Sequence, residues 1–181
     1  FEALGDRVGM LAEWFQPTPW LRMPERYWQD DYVLVCPMGS QRGREMLRCQ
    51  VAVLAAAYPV IVAHDATLPN MPGVNLSGKL ALEQFVSLVA HASCVVAVDS
   101  GPLHLAAAFC TPTVAVIGST IEPRAFARWY RPSLWLQAKR AQRVPPLMIR
   151  AGVQTVLETR PEAAYAPATG PEWWEAAEVQ T

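Results

Sequence analysis

The sequence predicts an α/β domain built on a doubly wound parallel sheet, and three observations carry that expectation. Four short apolar runs, Tyr32–Cys36, Val60–Ala63, Cys94–Val98 and Thr113–Ile117, lack polar alternation, as do strands buried on both faces of a parallel sheet. They alternate with segments of helical periodicity, the order expected of βαβ units. The 181 residues are 52% hydrophobic and 17% charged, against about 25% charged in an average globular domain. Such a chain buries enough apolar surface to offset its ordering entropy. So low a charge also implies that part of the surface is covered.

Residues 1–15 place apolar side chains at Leu4, Val8, Leu11, Ala12 and Phe15, a helical spacing. Pro17, Pro19 and Pro24 break the linker that follows. Tyr32–Cys36 reads as the first strand, ended by Pro37 and Gly39, with a helix over residues 45–57 and a second strand over Val60–Ala63. Val74–Leu76 is a brief third strand. Leu82, Phe85, Val86 and Val89 recur at i, i+3, i+4 and i+7, so an amphipathic helix comes next. The strand Cys94–Val98, a small-residue helix over Leu103–Phe109 and the strand Thr113–Ile117 complete the regular core. Seven of the sixteen prolines lie from Pro123 to Pro171, so the C-terminal region reads as a loop-rich wrapping segment.

Fifteen basic and sixteen acidic residues leave a net charge of −1, which gives no electrostatic reason to expect nucleic acid or an anionic membrane as partner. Arg124, Arg128 and Arg131 accompany Trp129 and Tyr130. That interleaving suits single-stranded nucleic acid, but in a neutral chain packing or loop contacts are the expected role. Lys139, Arg140 and Arg143 read as a solvated face. No apolar stretch approaches the roughly 18 residues of a transmembrane segment, and none has a signal-peptide pattern. Cys36, Cys49, Cys94 and Cys110 show no C-x-x-C spacing, and three lie in apolar runs. They are expected as buried thiols in a reducing cytoplasm rather than as a zinc site or disulfide framework. His64 and His91 read as structural, His91 lying near a helix end where imidazole suits the dipole.

Ligands of open α/β sheets bind outside the carboxyl ends of the strands. That rule singles out residues 39–44, 64–79 and 99–104. In the last, a buried strand runs into Asp99-Ser100-Gly101-Pro102-Leu103-His104 and opens a helix. Pro102 suits the first helical turn, and Gly101 lets a ligand approach the backbone. The amides of Ser100, Gly101, Leu103 and His104 are expected to converge with the helix dipole into a diphosphate site, to which the His104 ring adds a donor. From the pattern alone an equal reading stands beside this one, with Asp99–Ser100 a plain helix cap and His104 a core histidine. Gly39-Ser-Gln-Arg-Gly-Arg44 either cradles phosphate or is an ordinary βα turn. It lacks the Lys-Ser/Thr ending of a P-loop.

Gly73-Val-Asn-Leu-Ser-Gly-Lys-Leu-Ala-Leu-Glu83, the helix to Ala92, Val98-Asp-Ser-Gly-Pro-Leu-His-Leu-Ala-Ala-Ala108 and Thr113–Thr120 closely resemble glycosyltransferase family 9. These are the heptosyltransferases that build the lipopolysaccharide inner core. The resemblance is specific from about Val74 to Thr120. It implies a GT-B architecture of two Rossmann-like halves, with this chain as the C-terminal half that binds a nucleotide-diphospho-sugar donor, without metal or other cofactor. By the same resemblance Asp99, Ser100, Gly101 and His104 hold the diphosphate and sugar. Lys79 and Leu80 meet the nucleotide, with Leu80 against the base. Arg44 sits where the family places a phosphate-facing lysine, and Asp65 reaches toward the ribose.

The family's acceptor pocket and general-base carboxylate belong to its N-terminal half, so no catalytic residue is expected in this chain. Its implied partners are the donor and an N-terminal acceptor domain or partner chain. Residues 1–30 then read as the helix and linker ending that half, 31–138 as the donor domain, and 139–181 as a wrapping segment and helix. Trp173 and Trp174 fall where GT-B proteins cross back onto the N-terminal half. The sequence departs from the family at Arg44-Glu-Met-Leu47, where Lys-x-Trp-Pro is usual, and at Ala81, where Ser or Thr is usual. Residues 64–74 are also too few for the usual helix. These departures and the proline- and tryptophan-rich ends leave a second function open, a non-catalytic interaction or assembly module derived from the fold.

Overall fold

The structure is a computed structural model and describes residues 22–40, 43–118 and 133–164. Six strands form one sheet: β1 (Val33–Cys36), β2 (Val60–Val62), β3 (Val74–Asn75), β4 (Cys94–Val98), β5 (Thr113–Gly118) and β6 (Ser133–Ala138). Their order is β3-β2-β1-β4-β5-β6, and every neighbouring pair is parallel. This is the Rossmann strand order, whose direction of winding reverses between the first and fourth strands. The doubly wound α/β expectation is therefore met.

Alternate residues of each strand face opposite helical layers. Val33, Val35, Cys94, Val96, Val98, Val114 and Val116 pack with Val51 and Leu54 of α1 (Arg48–Ala55) and with Ile149, Val153 and Val156 of α4 (Pro146–Ala164). Leu34, Cys36, Val95, Ala97 and Ala115 pack with Leu88 and Val89 of α2 (Leu82–His91) and with Leu103 and Ala106 of α3 (Gly101–Ala108). Burying each such valine or leucine contributes about 1.5–3 kcal/mol. Because both faces are covered, the central strands β1, β2 and β4 carry apolar side chains throughout, and Thr113 at the start of β5 is buried with its hydroxyl donating to Thr111 O at 2.8 Å.

Two buried polar groups set how the flanking segments lie. Gln50 is fully buried. Its Nε2 donates to Ala141 O at 3.0 Å and Val144 O at 2.7 Å, while Oε1 accepts from Leu47 N at 2.6 Å. It thereby pins α1 to the short 3-10 turn Ala141–Arg143. Ser87 donates to Glu25 O at 2.7 Å and accepts from Tyr27 N at 2.9 Å, strapping the incoming chain onto α2. His91, in the last turn of α2 as expected of a structural histidine, adds Nε2–H to Pro24 O at 2.9 Å and so also tethers the incoming chain.

Several expectations are corrected. The helix foreseen over residues 45–57 starts only at Arg48, because Met38 and Glu45 form an antiparallel bridge and Met46 N donates to Pro37 O at 2.8 Å. The chain doubles back before the helix begins. Strand β6 and the length of α4 were not foreseen, since prolines there read as punctuation. Pro146 instead occupies the first position of α4, where a missing N–H costs nothing. Cys49 is exposed and Cys110 half-buried, so only Cys36 and Cys94 are buried thiols. The expected helix over residues 1–15, the cluster Arg124–Arg131 and the pair Trp173–Trp174 lie outside the described residues.

Candidate functional site

The carboxyl ends of β1 and β4 meet at the point where the winding reverses, and the expected site lies there. After β4 the chain bends at Asp99, Ser100 is extended, and α3 opens at Gly101 with Pro102 in its first turn. Ser100 makes no side-chain cap; its Oγ turns back to donate to Val98 O at 2.9 Å. Leu103 N donates to Ser100 O at 3.1 Å. That amide is therefore spent within the first turn, which corrects the expectation that it faces a ligand.

Two features rule out a plain cap with a core histidine. His104 is exposed, not part of the core. Asp99 reaches across the crevice instead of capping, with its Oδ2 2.9 Å from Arg44 Nη1 and both side chains 19% exposed. Asp99 Oδ2 is buried and has no aligned hydrogen bond, so the contact with Arg44 is ionic attraction rather than a directed bond. Among the described residues the space above Gly101 is open: a Cβ there would meet nothing within 4 Å. Nothing in the fold demands glycine at this position.

The loop after β1 supplies Arg44. Gly39 N donates to Arg44 O at 2.7 Å, closing the turn. A Cβ on Gly39 would stand 3.0 Å from the Arg44 Cβ and 3.3 Å from Asp99 O, so the two loops touch through that glycine. Below them Cys36 is held neutral, burial pushing its thiol up to about 12.

The remaining expected residues lie farther along the carboxyl edge. Lys79 and Leu80 follow the edge strand β3, with β2 and β1 between them and β4. Lys79 is exposed, and its Nζ donates to Asn75 O at 3.0 Å. Leu80 is half-buried against the α2–α3 core. A ligand touching these and Asp99 must lie across the ends of β2 and β1. Hydrogen bonds tie the preceding loop together: buried Ser77 accepts from Leu68 N at 2.8 Å and donates to Asn75 Oδ1 at 2.6 Å. Asp65 is 92% exposed and beside His64 Nδ1 at 2.9 Å, at the mouth of β2. Ala81 has no polar side chain to cap α2, so only the returning half of a capping box is made, Ala81 N to Gln84 Oε1 at 2.9 Å.

The model of glycosyltransferase family 9 (heptosyltransferase) matches residues 26–135, more than half of the chain. The chain belongs to glycosyltransferase family 9. A stretch of 47 residues is 47% identical to lipooligosaccharide heptosyltransferase 2 of Haemophilus influenzae, covering 26% of this chain and 14% of that protein. Among solved structures, the E. coli ADP-heptose lipopolysaccharide heptosyltransferase II superposes with a TM-score of 0.60 at 19% identity, over 74% of this chain and 49% of that one. A family 9 glycosyltransferase from Veillonella parvula gives 0.57 at 12% identity, over 72% and 47%. At these identities the structures speak for the fold alone. The chain spans about half the length of either.

Of the residues expected at the site, Arg44 and Asp99 meet directly, Ser100, Gly101 and His104 follow in the opening turn of α3, and Lys79 and Leu80 stand farther along the carboxyl edge. Glu45, Gln50 and Gln142 around the Arg44 loop were not foreseen. Only Gln50 left a signal, a polar residue one turn before Leu54 on the apolar face of its helix. Among the described residues no three His, Cys, Asp or Glu side chains gather as a metal site, and no helix is long and apolar enough to cross a membrane.

Proposed function

We propose that this chain is the donor-binding half of a heptosyltransferase-like inverting glycosyltransferase, completed by an acceptor half outside this chain. The observation that carries the reading is the Arg44–Asp99 pair at the switch point of the sheet, with Asp99 two residues before Gly101, where a Cβ would meet nothing within 4 Å among the described residues. A carboxylate alone repels a diphosphate. A guanidinium beside it removes that repulsion, because its planar fork can serve a carboxylate and a phosphate together. The opening turn of α3 adds the favourable end of a helix dipole, and exposed His104 adds a side-chain donor.

In this reading the diphosphate lies between Arg44 and the Ser100–Gly101 amides, Asp99 accepts hydroxyls of the sugar, and the nucleoside runs over β1 and β2 toward Leu80, with Lys79 beside it. As the sugar–phosphate bond breaks, charge gathers on the departing nucleoside diphosphate, and Arg44, His104 and the helix terminus stabilise it. None of these groups deprotonates an acceptor, so the chain alone binds the donor without transferring the sugar. The E. coli relative named for ADP-heptose makes an adenine nucleotide the first donor to test.

Calorimetry of the full chain with ADP-, GDP-, UDP- and CDP-linked sugars decides the matter. ADP-linked sugar is expected to bind, and His104→Ala to weaken it about tenfold or more through loss of one charge-assisted bond. No heat with any of the four would overturn the reading.

A further inference from the structure

We infer that Gln142 is a positioning residue for Arg44, acting through Glu45; the inference rests on the donor-site reading above. Gln142 Nε2 donates to Glu45 Oε1 at 2.5 Å, and Gly43 N donates to Glu45 Oε2 at 2.8 Å. Ala141 N donates to Gly43 O at 3.1 Å. The residues on either side of Arg44 are thus fixed to two consecutive residues of the 3-10 turn, 97 positions away for the Glu45–Gln142 pair. Arg44 is the bracketed residue whose side chain points into the crevice.

Two observations separate this contact from ordinary packing. The turn is already secured to α1 by buried Gln50, which bonds Ala141 O and Val144 O, so Gln142 is not needed to hold it. Gln142 also leaves its Oε1 buried without a hydrogen bond, so the bond it makes to Glu45 is offset by a stranded acceptor and adds little net stability. The electrostatics give the contact a purpose. A loose carboxylate next to Arg44 would compete with Asp99 and an incoming diphosphate for the guanidinium. With one oxygen on the Gly43 amide and the other on Gln142, Glu45 is turned away from that contest.

Gln142→Met keeps the side-chain length and removes the amide. In calorimetry with ADP on the full chain it is expected to weaken binding about fivefold, the worth of one hydrogen bond, with melting little changed. In an Arg44→Ala background the same substitution is expected to change nothing further. Without ligand, the Arg44 Nε–H resonance, assigned by its loss in Arg44→Lys, is expected to shift toward the free-arginine position in Gln142→Met. The double variant Glu45→Gln/Gln142→Glu reverses donor and acceptor across the contact and is expected to restore both readouts. A Gln142→Met effect of equal size with and without Arg44 overturns the inference, as does an unchanged resonance. If the unaltered chain binds no ADP, the donor-site reading fails, while the resonance still decides whether Gln142 orders Arg44.

Discussion

Arg44 Nη1 stands 2.9 Å from Asp99 Oδ2, and the two side chains leave the carboxyl ends of β1 and β4, neighbouring strands on either side of the point where the sheet reverses its winding. Each is 19% exposed. Breaking a pair this sheltered costs more than breaking a surface salt bridge, because stripping one partner strands a partly desolvated charge. The two residues therefore hold each other in place, and an anion held by Arg44 must share it with Asp99.

That sharing separates the effects of Asp99 on phosphate and on sugar. Asp99→Asn removes a negative charge beside the phosphate seat and also weakens the acceptor offered to sugar hydroxyls. Free ADP is expected to bind as well as before or better. ADP-linked sugar is expected to lose about tenfold relative to ADP, as a charged hydrogen bond is exchanged for a neutral one. Competition calorimetry with both ligands measures the ratio. An equal change for both would remove Asp99 from the sugar.

Gly101 offers a test in which stability and binding move in opposite directions. Its Cβ would enter open space, and no left-handed φ is recorded there. Alanine at such a position stabilises by about 0.4–1 kcal/mol through the unfolded chain. A methyl there nevertheless projects into the space assigned to the diphosphate. Gly101→Ala is expected to melt slightly higher while ADP affinity falls about tenfold or more, the scale of one lost charge-assisted contact. Unchanged affinity would show that no ligand approaches this backbone.

The sequence made the sheet legible wherever a strand was apolar on both faces. Cys94–Val98 and Thr113–Ile117 were recognised within a residue, because a strand buried on both faces reads as a nearly continuous apolar run. Strand β6 was not recognised, since Ser133 and Gln137 leave an apolar run of only Leu134, Trp135 and Leu136, and its burial comes from α4, whose packing onto the strand local sequence does not show. The Asp99–His104 turn was legible because strand, turn and helix are contiguous. The ion pair with Arg44 was not, because it joins residues 55 apart whose contact exists only once β1 and β4 are paired. Glu45–Gln142 was hidden for the same reason: neither residue type nor local spacing marks a contact made by the fold.

Gly118 tests how tightly the Arg44 loop is seated. It ends β5, and a Cβ there would lie 2.6 Å from Gly43 O and 3.1 Å from Ala141 N. Both are backbone atoms bonded to each other, so neither can give way without opening the bracket around Arg44. Gly118→Ala is expected to cost about 1–3 kcal/mol as an overpacked contact, read as a lower denaturation midpoint, and to weaken ADP. Wild-type stability would mean that the loop is not pressed against β5.

The thiols predict the response to alkali. Burial pushes Cys36 and Cys94 up to about 12 from an ordinary value of 9.0, and raises buried Tyr32, whose hydroxyl donates to Leu88 O at 2.7 Å. Folded pKa values above unfolded ones mean that the unfolded chain releases its protons first as pH rises. The stabilisation is complete below about pH 9 and is lost progressively toward pH 12. The melting temperature is expected to hold near pH 8 and fall steadily above pH 9, less steeply in Cys94→Ala once that variant is compared with its own value at pH 8. Under native conditions near pH 8, iodoacetamide is expected to modify exposed Cys49 first and half-buried Cys110 more slowly, leaving Cys36 and Cys94 until the chain unfolds. Rapid alkylation of Cys36 in the native chain would mean that the end of β1 beneath the crevice opens to solvent, and that the floor of the site is not the packed layer the structure shows.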